Sequence, residues 1–263
     1  MGNVVYQGLK IVDNSPVAIK VIKKSKVNKD DLTRELDIWS YASKKSAQVV
    51  KLLNTYEDGE TVYLVMELMK GGKLFNRIVN VPDYNEKYAS SLIKQILTIL
   101  KELHQGPIMH QSIQPEYILF ESNESDVIKL CHFGLAEIAT DDSAFIGLPG
   151  STPYIAPEAR NEAGHHKPVD VYAAGVIAYI MLCGHPFDLA NENLKLEFVG
   201  PEWDVISENA KDIISKLVAY NPEDRLTAAE ALKHPWFSDE SNQGTVNFSG
   251  TIIALKKFLQ ETQ

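Results

Sequence analysis

The hydrophobic pattern changes period partway along the 263-residue chain, and this change limits the folds open to it more than any other feature. Up to Gly71-Gly72 the apolar residues fall in short β-branched runs. Val4–Tyr6, Val17–Ile22, Val49–Leu53 and Val62–Leu68 read as strands, separated by turn clusters such as Asp13-Asn14-Ser15-Pro16. One helix interrupts them, Asp30–Ala42, with Leu32, Leu36 and Trp39 on one face. Beyond the two glycines the period becomes helical. Glu86–His104 carries Ala89, Leu92, Ile93, Ile96, Leu100 and Leu103 at helical spacing. Asp170–Cys183 is apolar nearly all round, as a helix buried on every side must be. Short strands are expected at Ile118–Phe120 and Val127–Leu130, and further helices at Ala210–Val218 and Ala228–Leu232. A small sheet-rich unit therefore precedes a larger helical one, with a hinge near Lys70–Lys73.

Composition narrows the function classes. With 44% hydrophobic and 23% charged residues, the chain has the makeup of a globular protein rather than a disordered one. The formal charge of -9 argues against nucleic acid or an anionic membrane as the main partner. The only cysteines, Cys131 and Cys183, lie inside apolar runs and suit a reducing, cytoplasmic setting. The longest apolar stretch, Val171–Cys183, has 13 residues, short of the roughly 20 that a bilayer span needs. Met1-Gly2 begins like a myristoylation signal, but Tyr6 stands where Ser or Thr is required.

The motifs are more informative. Val17-Ala18-Ile19-Lys20, Glu35 within Thr33-Arg34-Glu35-Leu36, Val65-Met66-Glu67-Leu68, His132-Phe133-Gly134, Ala156-Pro157-Glu158, Asp170-Val171-Tyr172-Ala173-Ala174-Gly175 and Arg225 follow one another along the chain. Any one is weak alone. As an ordered set they closely resemble the protein-kinase fold, and within it the calmodulin-dependent-kinase-like Ser/Thr group. The resemblance implies an α+β, bilobal architecture with a β-sheet-rich N-lobe over 1–69, a helical C-lobe over 70–237 and a C-terminal tail over 238–263. It also implies that Lys20 meets ATP phosphates and pairs with Glu35, and that Val5, Ala18 and Leu119 sandwich the adenine with Met66 as gatekeeper. His110, Phe133, Trp39 and Leu52 would stack between the lobes. Asp170 would anchor the catalytic loop, and Glu158 would pair with Arg225.

The catalytic positions depart from the family pattern. The loop His110-Gln111-Ser112-Ile113-Gln114-Pro115-Glu116-Tyr117 has Ser112 where the resemblance calls for the catalytic aspartate, and a hydroxyl cannot take a proton as a carboxylate does. Gln114 replaces a phosphate-steadying lysine. Tyr117 and His132 replace the two magnesium ligands, although magnesium wants oxygen donors. Gln111 removes an arginine that would read a phosphate on the activation segment. That segment, Leu135–Tyr154, contains Thr140, Ser143, Ser151 and Thr152, whose phosphorylation is expected not to order it. The glycine-rich loop of the family would reach only Asn3, with its first two glycines before Met1. Lys73 and Asn76 stand where relatives carry acidic, peptide-receiving residues; they read equally well as solvated surface.

From these departures the sequence suggests a pseudokinase that is catalytically inactive, needs no cofactor or metal, and binds ATP weakly and without metal if at all. It would serve as a scaffold or allosteric regulator for a protein partner such as an active kinase or a cytoskeletal protein. The alternative is a Ser/Thr kinase with residual or atypical phosphoryl transfer, in which Glu116 or Asp126 substitutes for the missing base. The tail segment Ser249–Gln260 is amphipathic, but Lys256 and Lys257 are few cations for a calmodulin target, so docking onto the helical lobe is preferred.

Overall fold

The computed structural model describes residues 4–139, 152–160, 165–187, 196–238 and 246–262. Thr140, Ser143 and Ser151, the aligned Asn3 and linker residues 239–245 lie outside these. The first strands, β1 (Val4–Leu9) and β2 (Pro16–Lys23), form an antiparallel hairpin. Its turn is closed by Lys10 N–H donating to Ser15 O at 2.9 Å, with Asn14 in the left-handed region at φ 56°. Helix α1 (Lys29–Lys45) follows, its N-terminus capped by the Asn28 side chain, which accepts from Asp30 N–H at 2.8 Å. Strands β3 (Leu52–Glu57) and β4 (Thr61–Glu67) complete a four-stranded antiparallel sheet of order β1-β2-β4-β3. Alternation buries Val62, Leu64 and Met66 on one face of β4.

The strand expected at Val49–Leu53 is displaced. Val49 makes only an isolated bridge to Leu130, and the strand proper runs through the polar residues Asn54–Glu57. Their side chains are exposed, so no apolar alternation marks them. At the link to the helical lobe, Gly71 is required by close approach: a Cβ there would run into the Ser122 carbonyl and Phe120.

The second lobe holds α2 (Leu74–Ile78), α3 (Glu86–Gln105), α4 (Pro168–Cys183), α5 (Glu208–Leu217), α6 (Ala228–Ala231) and α7 (Ser249–Glu261). Two short ribbons lie at its upper edge. In one, β5 (Ile108–Met109) pairs with β8 (Glu137–Ile138); in the other, β6 (Ile118–Phe120) pairs with β7 (Ile128–Leu130). Helix α4 is the core, with 15 of its 16 residues buried. A Cβ on its Gly175 would come within 2.7 Å of Leu217 and Val218, so glycine lets α5 close on α4. Around it, Glu86 ties three elements together: its carboxylate accepts from Ser207 N–H at 2.9 Å and from Trp236 Nε1–H at 2.8 Å. The tail helix α7 lies against α4, with Leu255 buried and Thr251 Oγ1 donating to Leu182 O at 2.8 Å. The fold is a β-sheet N-lobe on a helical C-lobe.

Candidate active site

The site lies where the sheet meets the helical lobe. In β2, alternation turns Ala18 and Lys20 to the buried side. Lys20 Nζ meets Glu35 Oε1 of α1 at 2.9 Å, and both side chains are about nine-tenths buried, with exposures of 11% and 10%. Ala18 lies opposite Met66 in register, and Val5 lies opposite Lys20. Met66 and Ala18 are buried, Leu119 half-buried and Val5 exposed.

Below these residues a stack crosses the lobes. The Trp39 and Phe133 rings are parallel at 6.2 Å, and His110 meets Phe133 edge-on at 4.9 Å. Leu52, in register with Met66, packs half-buried against the core. Trp39 is further fixed by its indole N–H donating to Val50 O at 2.6 Å. His110 accepts from Ser112 N–H at its Nδ1 and faces Cys131 O through Nε2, both at 3.3 Å, which makes it the neutral Nε2–H tautomer. Burial pushes its pKa down to about 4.

Asp170, in the first turn of α4, holds the loop from beneath. It accepts the His110 and Gln111 backbone N–H groups, each at 2.8 Å, and lies 3.0 Å from His104 Nε2. Burial raises its pKa, but the hydrogen bond to His104 and the backbone N–H of His110 outweigh that and keep the carboxyl below its usual range. Farther out, Glu158 and Arg225 form a bidentate pair at 2.6 and 3.1 Å. Arg225 also donates to Pro168 O and Ala219 O and covers the Tyr172 ring.

Apart from the exposed Glu116, the cleft-facing end of the loop is neutral. Ser112 is buried, and its Oγ accepts from Gln114 Nε2 at 3.1 Å. The Tyr117 and His132 rings stack on each other, 4.0 Å between centroids and 19° from parallel. Burial first, and the Lys20 charge second, hold His132 down to about 4, so it is a neutral imidazole at pH 7. Burial likewise raises the Tyr117 hydroxyl. The fold family implies magnesium at these two positions. A neutral imidazole stacked on a protonated phenol offers no anionic oxygen, so the pair does not fit that ion. Among the described residues no cluster of three or more His, Cys, Asp or Glu side chains could hold a metal. Gln111 and His132 both adopt the left-handed region, at φ 61° and 69°, so the loop enters and the cleft wall leaves the site through strained backbone.

Some relations could not be read from the sequence. Gln111 bridges two distant points: its amide donates to Leu135 O at 2.9 Å and its Oε1 lies 2.6 Å from His165 Nε2. His165, 54 residues away, carried no signal in spacing. Nor does spacing in the sequence bring Tyr117 and His132 together, although each departs from the family pattern by itself. Of the two carboxylates considered as substitute bases, Asp126 is removed by the structure. It binds Arg77 at 3.2 Å and the Tyr88 hydroxyl at 2.6 Å, away from the loop. Glu116 remains exposed beside Tyr117. Lys73 and Asn76 are both exposed at the start of α2. Among the described residues no helix is long and apolar enough to cross a membrane.

Comparison with known proteins gives the family directly. A family model described as "Protein kinase domain" matches residues 1–237. "Calcium/calmodulin-dependent protein kinase type 1" of Macrobrachium nipponense is 40% identical over 252 residues, covering 92% of this chain and 72% of that protein. Its namesake in Caenorhabditis elegans is 38% identical over 254 residues, with the same coverage. "Probable serine/threonine-protein kinase pXi" of Dictyostelium discoideum is 36% identical over 255 residues; the match spans 97% of this chain but only 36% of that relative. These relatives correct one expectation. Proteins 38–40% identical over most of the chain are named kinases, so the residues at 112, 114, 117 and 132 do not establish the catalytic inactivity that the sequence suggested. Sheet lobe, helical lobe, interlobe stack and family match agree, and this chain belongs to the protein kinase family.

Proposed function

We propose that the chain is a Ser/Thr protein kinase domain with residual, atypical phosphoryl transfer, using ATP without a tightly held metal. The observation that carries this reading is the formed Lys20–Glu35 pair inside an assembled interlobe core. Support for the Ser/Thr class comes from the relatives' names. ATP supplies the transferable phosphoryl group. Lys20 donates to a phosphate oxygen, and Glu35 holds the ammonium in place. Ala18, Met66 and Leu119 provide an apolar surface for a flat base. In the transfer, the acceptor oxygen bonds to the γ-phosphorus, the bond to the bridging oxygen breaks, and ADP departs with the electron pair. The acceptor's proton goes to water or to Glu116, since Ser112 is no base at neutral pH. A positioned general base is worth about 10²–10⁴-fold, so turnover is slow by that order.

The test is transfer of labelled phosphate from ATP to the chain itself and to a mixed Ser/Thr peptide library, in magnesium, manganese or EDTA. Slow transfer that persists in EDTA and disappears in Lys20→Ala is expected. No transfer from a folded wild-type chain, or transfer indifferent to Lys20→Ala, would overturn the reading.

A further inference from the structure

The pair that does not fit magnesium leaves an unbalanced charge for any nucleotide in the cleft. A nucleoside triphosphate brings three to four negative charges, and Lys20 is already paired with Glu35. A second cation must face the same space if metal is not to supply the balance. Lys73 is the candidate for that role. It is the N-cap residue of α2, it is exposed, and its side chain makes no capping hydrogen bond. Among the described residues it forms no ion pair. Its backbone forms an antiparallel bridge with Leu119, the half-buried residue on the strand leading from Tyr117. Lys20 comes from the sheet lobe and Lys73 from the helical lobe, and the charges of both act on the half-buried Cys131, next to His132. Lys129, opposite Leu119 in register, is occupied by Glu67 at 2.7 Å, and Glu116 is exposed.

We propose that Lys73 is a phosphate-binding residue, which together with Lys20 takes up the charge of a metal-free nucleoside di- or triphosphate. The proposal rests on the nucleotide-binding reading above and assigns that site its second cation. A mobile ammonium on a four-carbon stem suits the role, because it follows a phosphate chain as a point charge. The predicted ligand is anionic; the same base without phosphates should not register Lys73.

The experiment is a calorimetric titration of the full chain with ATP, ADP and adenosine, in EDTA and in magnesium. ATP is expected to bind in EDTA at least as tightly as in magnesium, and to weaken as salt is raised. Lys73→Met should weaken ATP about tenfold, the loss of one charge-assisted contact, while leaving adenosine and the melting temperature unchanged. Lys73→Arg should retain ATP. Equal loss of ATP and adenosine in Lys73→Met, no loss of ATP, or tighter wild-type binding with magnesium would each overturn the assignment. If adenosine binds and ATP ignores Lys73, this inference alone fails. If neither ligand binds wild type, the nucleotide-binding reading fails with it.

Discussion

The two ends of the loop His110–Tyr117 solve opposite problems. At the first end a full charge is buried and heavily satisfied: Asp170 receives two backbone N–H groups and lies against His104, and the Glu158–Arg225 pair nearby is bidentate with further carbonyl partners. At the second end, facing the cleft, the groups other than the exposed Glu116 are neutral and contact each other, Ser112 with Gln114 and Tyr117 with His132. Buried charges with several partners cannot be changed singly without unfolding the surroundings. The groups paired at the second end carry no charge, so exchanging one of them leaves no buried charge unpaired. The family architecture is held by the first end, and the chemistry is decided at the second.

The largest expected effect breaks the first end. Arg225→Leu leaves Glu158 without its guanidinium and removes the Arg225 donors from Pro168 O and Ala219 O. Loss of one partner of a buried pair costs about 3–5 kcal/mol, which denaturant unfolding would read as a shifted midpoint at unchanged slope. A loss under about 1 kcal/mol, the range of a surface ion pair, would show that this pair is solvated and that the contrast between the two ends is false. An intermediate effect belongs to the second end. Ser112→Asp restores a carboxylate beside Gln114 and should raise phosphate transfer by at least about tenfold, with a lowered melting temperature because position 112 is buried. If that variant unfolded instead, Ser112 would be a structural residue and the cleft-facing end would be as constrained as the other.

Much of the scaffold was legible because it rests on periodic burial. The 3.6-residue period of α3, the uniformly apolar α4 and the alternation in β2 and β4 follow from side chains that must face a core. The amphipathic tail likewise announced a helix with a face to bury, and Leu255 is the residue it buries. Strand β3 was misplaced because its residues Asn54, Thr55 and Glu57 face solvent, where hydrogen bonding to β4 rather than burial makes the strand. At the site, ordered motifs located Lys20, Glu35, Asp170 and His132, but not what their neighbours do. The contacts Gln111–His165 and Tyr117–His132 join residues 54 and 15 positions apart through strained backbone, and no local rule encodes such a meeting.

The smallest effect is also the most specific to the stack. His132 has its pKa held at about 4 by burial, against about 6.5 for a free imidazole. Between these values the unfolded chain takes up a proton that the folded chain refuses. The contribution to stability is therefore complete above about pH 6.5 and is lost as pH falls toward 4, with a slope of at most about 1.4 kcal/mol per pH unit for this group. His110 adds a loss of the same sign. Phenylalanine can keep the ring against Tyr117 while removing the titration, so His132→Phe isolates the term. Unfolding free energies measured from pH 7 to pH 4.5 should fall less steeply in the variant, with the two curves parallel above pH 7. Coincident curves would mean that His132 takes up its proton in the folded state, and that the cleft wall is wetter than a ring stacked 4.0 Å from Tyr117 allows. The neutral end of the loop would then carry a cation at low pH, and the division between the two ends would depend on protonation rather than on packing.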